Sequence, residues 1–253
     1  MKFVFLGTGS SQGVPAVPCT CTVCTSSDSK DKRLRSALYV EAEDTHLIID
    51  AGPDFRQQVL REKIQNIDAI LLTHQHKDHT AGLDELRGFN FKQKKPMPVY
   101  VPSPAVKDIK EQYAYIFGQT KYPGMPEIEL HPLRGTPFNI GKLSIQPIQV
   151  WHHKLPVFGY RIGNLSYITD ANHIPDLEKD KIRGSKILVL NALQQKTHLS
   201  HFTLAEATEM VHELGAEQAY FTHISHRMGL HARVSSALEE RIALAYDGLS
   251  CFC

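Results

Sequence analysis

Asp68 to Leu83 reads D-A-I-L-L-T-H-Q-H-K-D-H-T-A-G-L. Ala69 to Thr73 is a short apolar run with the length and composition of a buried strand. It empties into His74, His76, Asp78 and His79, and beyond Thr80 the pattern turns helical, with Leu83 and Leu86 on one face. Strand, ligand-rich turn and helix together hold the turn at a sheet edge while its side chains converge. A solvated loop has no reason to gather three imidazoles and a carboxylate, so chance clustering is the weaker reading.

Toward the N-terminus, Leu38 to Glu41 and His46 to Ile49 read as two strands joined by a polar turn at Glu43-Asp44-Thr45. The second ends in Asp50-Ala51-Gly52, and an amphipathic helix follows over Asp54 to Ile64, with Phe55, Val59, Leu60 and Ile64 apolar. Lys2 to Leu6 is a first buried strand. It closes on Gly7-Thr8-Gly9-Ser10-Ser11-Gln12-Gly13, whose glycine spacing departs from the dinucleotide fingerprint. A tight loop close to a ligand is the better reading, since glycine lets a backbone approach closely. Cys19-Thr20-Cys21-Thr22-Val23-Cys24 comes next, in a segment rich in Pro and Thr. Three thiolates this close suit a tetrahedral zinc that needs one more ligand, so residues 15–30 are expected to form a structural zinc loop, against unligated cysteines.

Downstream, Val99 to Val101 resumes the sheet, Pro104 to Phe117 reads as a helix, and Gln119 to Glu127 is a loop long enough to cover a pocket. Strands are expected at Ile128 to Leu130, Leu143 to Val150, Val157 to Ile162, Leu165 to Thr169, Ile187 to Leu190 and Ala219 to Thr222. A helix over His201 to Leu214 has Thr203 as its cap with Glu206 three residues on. Arg233 to Ala245 reads as a final helix and Leu249 to Cys253 as a short last strand. No linker or composition break separates the halves. One domain over residues 1–253 is expected, with two packed sheets and helices outside.

The totals exclude more than they assign. A chain of 253 residues with 42% hydrophobic and 22% charged residues is an ordinary globular composition, and a net charge of +1 gives no general pull toward nucleic acid or anionic membrane. No apolar run approaches the roughly 18 residues that span a bilayer, and the run after Met1 is too short for a signal-peptide core. The expected compartment is a reducing cytoplasm, where five cysteines serve as ligands or free thiols.

Candidate ligands thus stand at the C-terminal ends of four expected strands: His74, His76, Asp78 and His79; His152; Asp170; and His223. They outnumber the four of a closed structural zinc site and suit two metals sharing a bridging carboxylate. The T-H-x-H-x-D-H motif with the later His, Asp and His resembles the metallo-β-lactamase fold superfamily. That resemblance covers essentially the whole chain and implies an αββα sandwich, two central mixed sheets with helices on the outer faces. Within it, the chain is similar to the phosphodiesterase branch typified by the phosphoribosyl cyclic phosphodiesterase of the carbon–phosphorus lyase pathway. The residues carrying that likeness are G-T-G-S-S-Q-G-V-P at Gly7 to Pro15, the cysteine cluster, F-G-Y at Phe158 to Tyr160, and T-H-I-S-H at Thr222 to His226.

The resemblance implies one metal on His74, His76 and His152, a second on Asp78, His79 and His223, and Asp170 bridging them, as zinc or manganese. It implies a structural zinc on Cys19, Cys21, Cys24 and His226. His153 competes with His152, which is preferred for its place nearer the strand end. His201 matches a histidine proposed as the general acid of the branch, with His198 as its alternative and a helix-entry histidine as the plainer reading. Asp78 is the other candidate catalytic residue. Asp50 suits orientation of a metal-bound histidine, or capping of the turn after its strand.

The expected activity is metal-dependent hydrolysis of a small or cyclic phosphodiester by a water activated between two cations. The alternatives are a ribonuclease of the transfer-RNA 3′-processing kind and a thioester hydrolase. Lys92-Gln93-Lys94-Lys95 is a short charge run that reads as a solvated face rather than an RNA grip. A small-molecule substrate is the favoured partner and nucleic acid a less favoured one. No membrane partner is expected, and a homodimer is compatible.

Overall fold

The computed structural model describes residues 1–119 and 122–253, so Thr120 and Lys121 of the expected covering loop lie outside the described residues. The strands are β1 (Lys2–Gly7), β2 (Ala37–Ala42), β3 (Thr45–Ile49), β4 (Ala69–Leu71), β5 (Met97–Pro102), β6 (Ile128–Leu133), β7 (Phe138–Ile140), β8 (Leu143–His152), β9 (Leu155–Ile162), β10 (Leu165–Ile168), β11 (Ile187–Asn191), β12 (Gln218–Thr222), β13 (Ile242–Leu244) and β14 (Ser250–Phe252). They form two sheets, ordered β14-β1-β2-β3-β4-β5-β6 and β13-β12-β11-β10-β9-β8-β7. Each is antiparallel at one end and parallel at the other, with β3 to β6 and β10 to β13 running parallel. The helices are α1 (Phe55–Arg61), α2 (Lys77–Thr80), α3 (Arg87–Gln93), α4 (Val106–Gln112), α5 (Ala114–Phe117), α6 (Asp176–Ile182), α7 (Leu204–Leu214) and α8 (His231–Ser235).

Side-chain alternation makes the layers. Phe3, Phe5, Ala69 and Leu71 point between the sheets, where they meet Tyr160, Ile162, Leu165, Tyr167 and Val189 of the second sheet. Their neighbours Val4, Leu6 and Ile70 point outward and pack with Phe55, Phe89 and Ile109 of the helices. On the other side Leu188, Leu190 and Phe221 pack outward against Ile182, Ala207 and Val211. A strand buried on both faces has no polar side, which explains the continuous apolar runs. The αββα sandwich follows.

Three local outcomes differ from or refine the sequence reading. Pro147 sits inside β8, but β7 pairs only with Leu143 to Ile145, so proline removes no donor from a ladder there. Thr203 caps α7 in a reciprocal box with Glu206, while His201 and Phe202 precede the helix. The helix expected over Arg233 to Ala245 is a correction. Only α8 is helical there, and Ile242 to Leu244 is strand β13, paired in parallel with β12. Val234, Leu238 and Ile242 recur every four residues and so mimicked a helical stripe, while Ile242 and Leu244, two apart, enter the outer core together from the strand on the open edge of β12.

Beneath the cysteine loop, buried Arg33 donates to Thr8 Oγ1 (2.8 Å), Ala245 O (2.6 Å) and His231 Nδ1 (3.0 Å), and Asp31 accepts from His231 N. Burial, then Arg33 and Lys30, push the His231 imidazole down to about 4, from 6.5. With the folded value depressed, the stability this histidine contributes is complete above pH 6.5 and is lost as pH falls toward 4. His231→Gln is expected to flatten that acid limb by about 2–3 kcal/mol. Denaturant midpoints across the range check it, and parallel curves for the two proteins would refute it.

Candidate metal centre

The ends of five strands, β3, β4, β8, β10 and β12, converge on one edge of the sandwich. At four of them the chain leaves in the left-handed region, with φ of 66° at Asp50, 56° at His153, 57° at Asp170 and 54° at His223. Non-glycine residues pay of order 1 kcal/mol or more for that conformation, and such strain concentrates where side-chain direction matters. The turn after β4 is tied to the second sheet. Tyr160 donates its hydroxyl to Leu72 O (2.5 Å) and Phe158 N donates to Thr73 O (3.0 Å). A Cβ on Gly159 between them would lie 2.7 Å from Tyr167 O. The F-G-Y motif thereby holds the histidine turn in place.

Asp50 contacts a histidine of the cluster, and its other partner is on the neighbouring strand end rather than in the turn after its own strand. Its carboxylate accepts from His79 Nδ1 (2.7 Å) and, beyond the end of β4, from Thr73 N (2.9 Å). His74 Nδ1 lies 2.9 Å from Thr73 Oγ1, and His152 Nδ1 donates to Ser200 O (3.0 Å). In each ring the outer nitrogen is engaged and Nε2 is left for the centre. The Ser200 carbonyl and Thr73 hydroxyl carry no signal in sequence, because neither residue type marks a ligand and the first contact spans 48 positions.

Asp170 is the hub. Its Oδ1 lies 3.1 Å from His201 Nε2 and 3.2 Å from His223 Nε2, and its Oδ2 lies 3.2 Å from His79 Nε2. His79 Nε2 is also 3.0 Å from Asp78 Oδ2, at ion-pair distance but without hydrogen-bond geometry to either carboxylate. Donor atoms of Asp78, His79, Asp170 and His223 all fall within 4.8 Å of one another, as do those of His152, Asp170 and His201. The His74 ring is 4.5 Å from that of His76 and 5.8 Å from that of His152, and His76 and His152 are 5.3 Å apart. His153 is exposed and faces away, its backbone N–H donating to Asn172 Oδ1. His198 is also exposed, with Nδ1 3.2 Å from His201 Nδ1.

The donor chemistry fits divalent cations. His74 Nε2 is buried with no hydrogen-bond partner, a costly state for a polar atom that a cation relieves. Burial holds the His74 and His223 imidazoles low, His223 at about 3, so both carry a free lone pair at neutral pH. Burial works against the Asp170 and Asp78 carboxylates, but the imidazoles around them outweigh it and hold both below the usual range. Burial would lower His79 too, yet Asp170, Asp78 and Asp50 raise it well above normal. A proton on His79 is the positive charge this concentration of carboxylates requires when no cation supplies it.

The cysteine loop forms a second cluster. Cys19 Sγ and Cys21 Sγ lie 3.2 and 3.4 Å from His226 Nδ1, and these atoms fall within 4.8 Å of one another and of Cys24 Sγ. A zinc tetrahedron has an S···N edge of about 3.6 Å. Backbone hydrogen bonding at Cys24 and the His226 contact pull the Cys21 thiol down to about 6, whereas burial pushes Cys24 up to about 11. T-H-I-S-H thus sends His223 to one cluster and His226 to the other. Cys21→Ser is expected to remove about one metal equivalent per chain, read by elemental analysis; unchanged metal content would show the cluster to be unligated. In the Gly7 to Gly13 loop the first two glycines sit against protein backbone, while Ser10, Ser11 and Gln12 line a cavity with His201 and His223. A Cβ on Gly9 would lie 2.8 Å from Arg33 O, and Gly7 has no room for one beside Arg35 O.

The model of the Beta-lactamase superfamily domain matches residues 45–224. The fold superposes on a diphosphatase from the PhnP family with a TM-score of 0.93 and 36% identity, covering 100% of this chain and 97% of that one. An octanoyltransferase of Porphyromonas gingivalis is 36% identical over 98% of this chain, which spans only 51% of that protein's length. A ribonuclease Z of Methanopyrus kandleri is 27% identical over 97% of this chain and 95% of its own. Among the described residues no helix is long and apolar enough to cross a membrane. The chain belongs to the metallo-β-lactamase fold hydrolases, close to the PhnP family.

Proposed function

We propose that this hydrolase is a phosphodiesterase acting on a small or cyclic phosphodiester. The observation that carries the reading is a polar cavity of about 260 Å³ that reaches His201 and His223 beside Asp170 and is walled by Ser10, Ser11, Gln12 and His198. Its size suits a compact substrate. His74, His76 and His152 would hold one divalent cation and Asp78, His79 and His223 another, with Asp170 between them; zinc and manganese both suit these donors. Bound there, such cations supply charge for phosphoryl oxygens and ease the ionisation of water.

The chain's own residues do the rest. Thr73, Asp50 and Ser200 O fix the outer nitrogens of three rings and so aim their Nε2 atoms. His201 is buried, with Nδ1 turned toward Ser200 Oγ (3.0 Å) and Nε2 toward the hub, where it would donate a proton to the departing oxygen. His198 backs it from the rim. His201→Gln is expected to lower turnover by about 10²–10³ for a diester with an alkoxide leaving group, and far less for a nitrophenolate, which departs without a proton. Equal losses on both would reject the acid role.

The ribonuclease reading is favoured by the ribonuclease Z relative, which matches nearly end to end. Against it, Lys92 is held by Gln65 and Lys95 pairs with Asp68 at 3.4 Å, so two lysines of the short basic run are engaged within the chain. The remaining expectations join the proposal: a single domain, a cytoplasmic location where the thiols stay reduced, a small-molecule partner and a possible homodimer. The deciding assay sets metal-loaded protein against bis(p-nitrophenyl) phosphate, cyclic nucleotides, RNA and thioesters in parallel. Phosphodiester turnover is expected, and activity on thioesters alone would overturn it.

A further inference from the structure

We infer that Asn191 is a positioning residue whose side-chain amide sets the hub carboxylate of Asp170 against the proton donor His201. The inference rests on the phosphodiester reading above and on the acid role of His201 within it. Asn191 ends β11, the strand between β10, which leads to Asp170, and β12, which leads to His223. It is fully buried. Its Oδ1 accepts from Ala171 N (2.7 Å) and its Nδ2 donates to Ala171 O (2.9 Å). Both polar ends of the amide are thereby engaged, so Asn191 contributes no ligand atom and acts through the turn it holds.

The need for that clamp arises at Asp170. Parallel pairing of β10 with β11 ends at Ile168 and Leu190, and the left-handed turn at Asp170 (φ 57°) carries the chain off the ladder. Ala171 comes next and is buried, so its backbone N–H needs an acceptor that water does not supply. A primary amide carries one acceptor and one donor in a plane, and Ala171 presents the matching pair. The same carbonyl passes the constraint on. Ala171 O also accepts from Phe202 N (2.8 Å), the residue after His201, and Leu193 N donates to Phe202 O (2.9 Å). Ala192 N donates to Thr222 O (3.0 Å) and Ser225 N to Leu193 O (2.9 Å), on either side of His223. The exit of β11 is therefore the seam on which the Asp170, His201 and His223 segments meet. Its backbone groups hold the His201 and His223 segments, whereas the Asp170 turn is held to it by the Asn191 side chain. Losing the amide frees the carboxylate turn to slide, loosening the 3.1 Å approach of His201 Nε2 to Asp170 Oδ1. A misplaced donor costs rate rather than substrate binding.

The test uses metal-loaded protein with uridine 2′,3′-cyclic phosphate, whose leaving group is an alkoxide, and bis(p-nitrophenyl) phosphate, whose leaving group departs without a proton. Asn191→Leu is close in shape and removes both polar ends. It is expected to lower kcat on the cyclic ester by about 10–30-fold with KM within about twofold, and kcat on the nitrophenyl ester by less than about threefold. In a His201→Gln background the same substitution is expected to cost less than about threefold on either ester, because two residues acting through one proton transfer are not additive. Asn191→Asp restores the donor and acceptor pair only as the neutral acid, so its turnover relative to the unaltered protein at the same pH is expected to rise as pH falls. Asn191→Ser serves the same readings if Asn191→Leu does not fold. The visible spectrum of the cobalt-loaded protein reads the placement of Asp170 without turnover, and is expected to shift in Asn191→Leu with cobalt content unchanged. Equal losses on both esters, a full loss retained in the His201→Gln background, or an unchanged cobalt spectrum overturns the assignment. A protein that turns over neither ester sinks the phosphodiester reading, and the cobalt spectrum then decides by itself whether Asn191 places Asp170.

Discussion

Asp170→Asn is expected to lower turnover by about 10³-fold or more and to reduce bound metal measurably, with the fold retained. The reason is position. Asp170 is the residue common to both donor groups, with His201 and His223 on one oxygen and His79 on the other. Asparagine keeps the shape but replaces one anionic oxygen with an N–H₂, which cannot coordinate a cation and presents hydrogens to the imidazole on that side. It also removes the negative charge that balances His79. Elemental analysis, steady-state turnover and far-ultraviolet circular dichroism on one preparation separate these effects. A folded variant with unchanged metal content and activity within tenfold would place the hub elsewhere.

Gly52→Ala is expected to destabilise the chain by about 3 kcal/mol, although the residue lies outside both donor sets. The turn Asp50 to Gly52 lies backbone to backbone on the ligand helix, with Ala51 N donating to His79 O (2.8 Å) and Gly82 N to Ala51 O (2.7 Å). A Cβ on Gly52 has no room beside the Asp78 carbonyl, so relief requires shifting the segment that carries Asp78 and His79. Stability and metal affinity should therefore fall together. Gly88→Ala on α3, where an added Cβ meets nothing within 4 Å, is the contrast, expected to be neutral or to stabilise by about 0.5–1 kcal/mol. Urea denaturation of the two variants decides the matter; a Gly52→Ala midpoint equal to the unaltered protein's would refute the packing argument.

Residues close in sequence carried their own evidence. The run from Asp68 to Leu83 displayed a buried strand, four ligand types and a helical continuation, because strand and helix periods are local properties of the chain. The Thr203 cap was legible for the same reason: its partner Glu206 lies within one turn. The final helix over Arg233 to Ala245 was misread because Val234, Leu238 and Ile242 keep a helical spacing, although Ile242 and Leu244 alternate as a strand does. What decided it was the unpaired edge of β12, a partner remote in the chain.

The candidate site divides along the same line. By itself the sequence determined which residue types were available, that they stand at strand ends, and that an αββα sandwich would carry them. Only the tertiary structure decided that Asp170 faces His79, His201 and His223 together, that His152 turns inward while His153 turns out, and that Ser200 O, Thr73 and Asp50 aim the rings. The physical reason is range. Propensity and pattern act over a few residues, whereas the convergence of β3, β4, β8, β10 and β12 is set by burying Phe5, Leu71, Tyr160 and Tyr167 in one layer between two sheets.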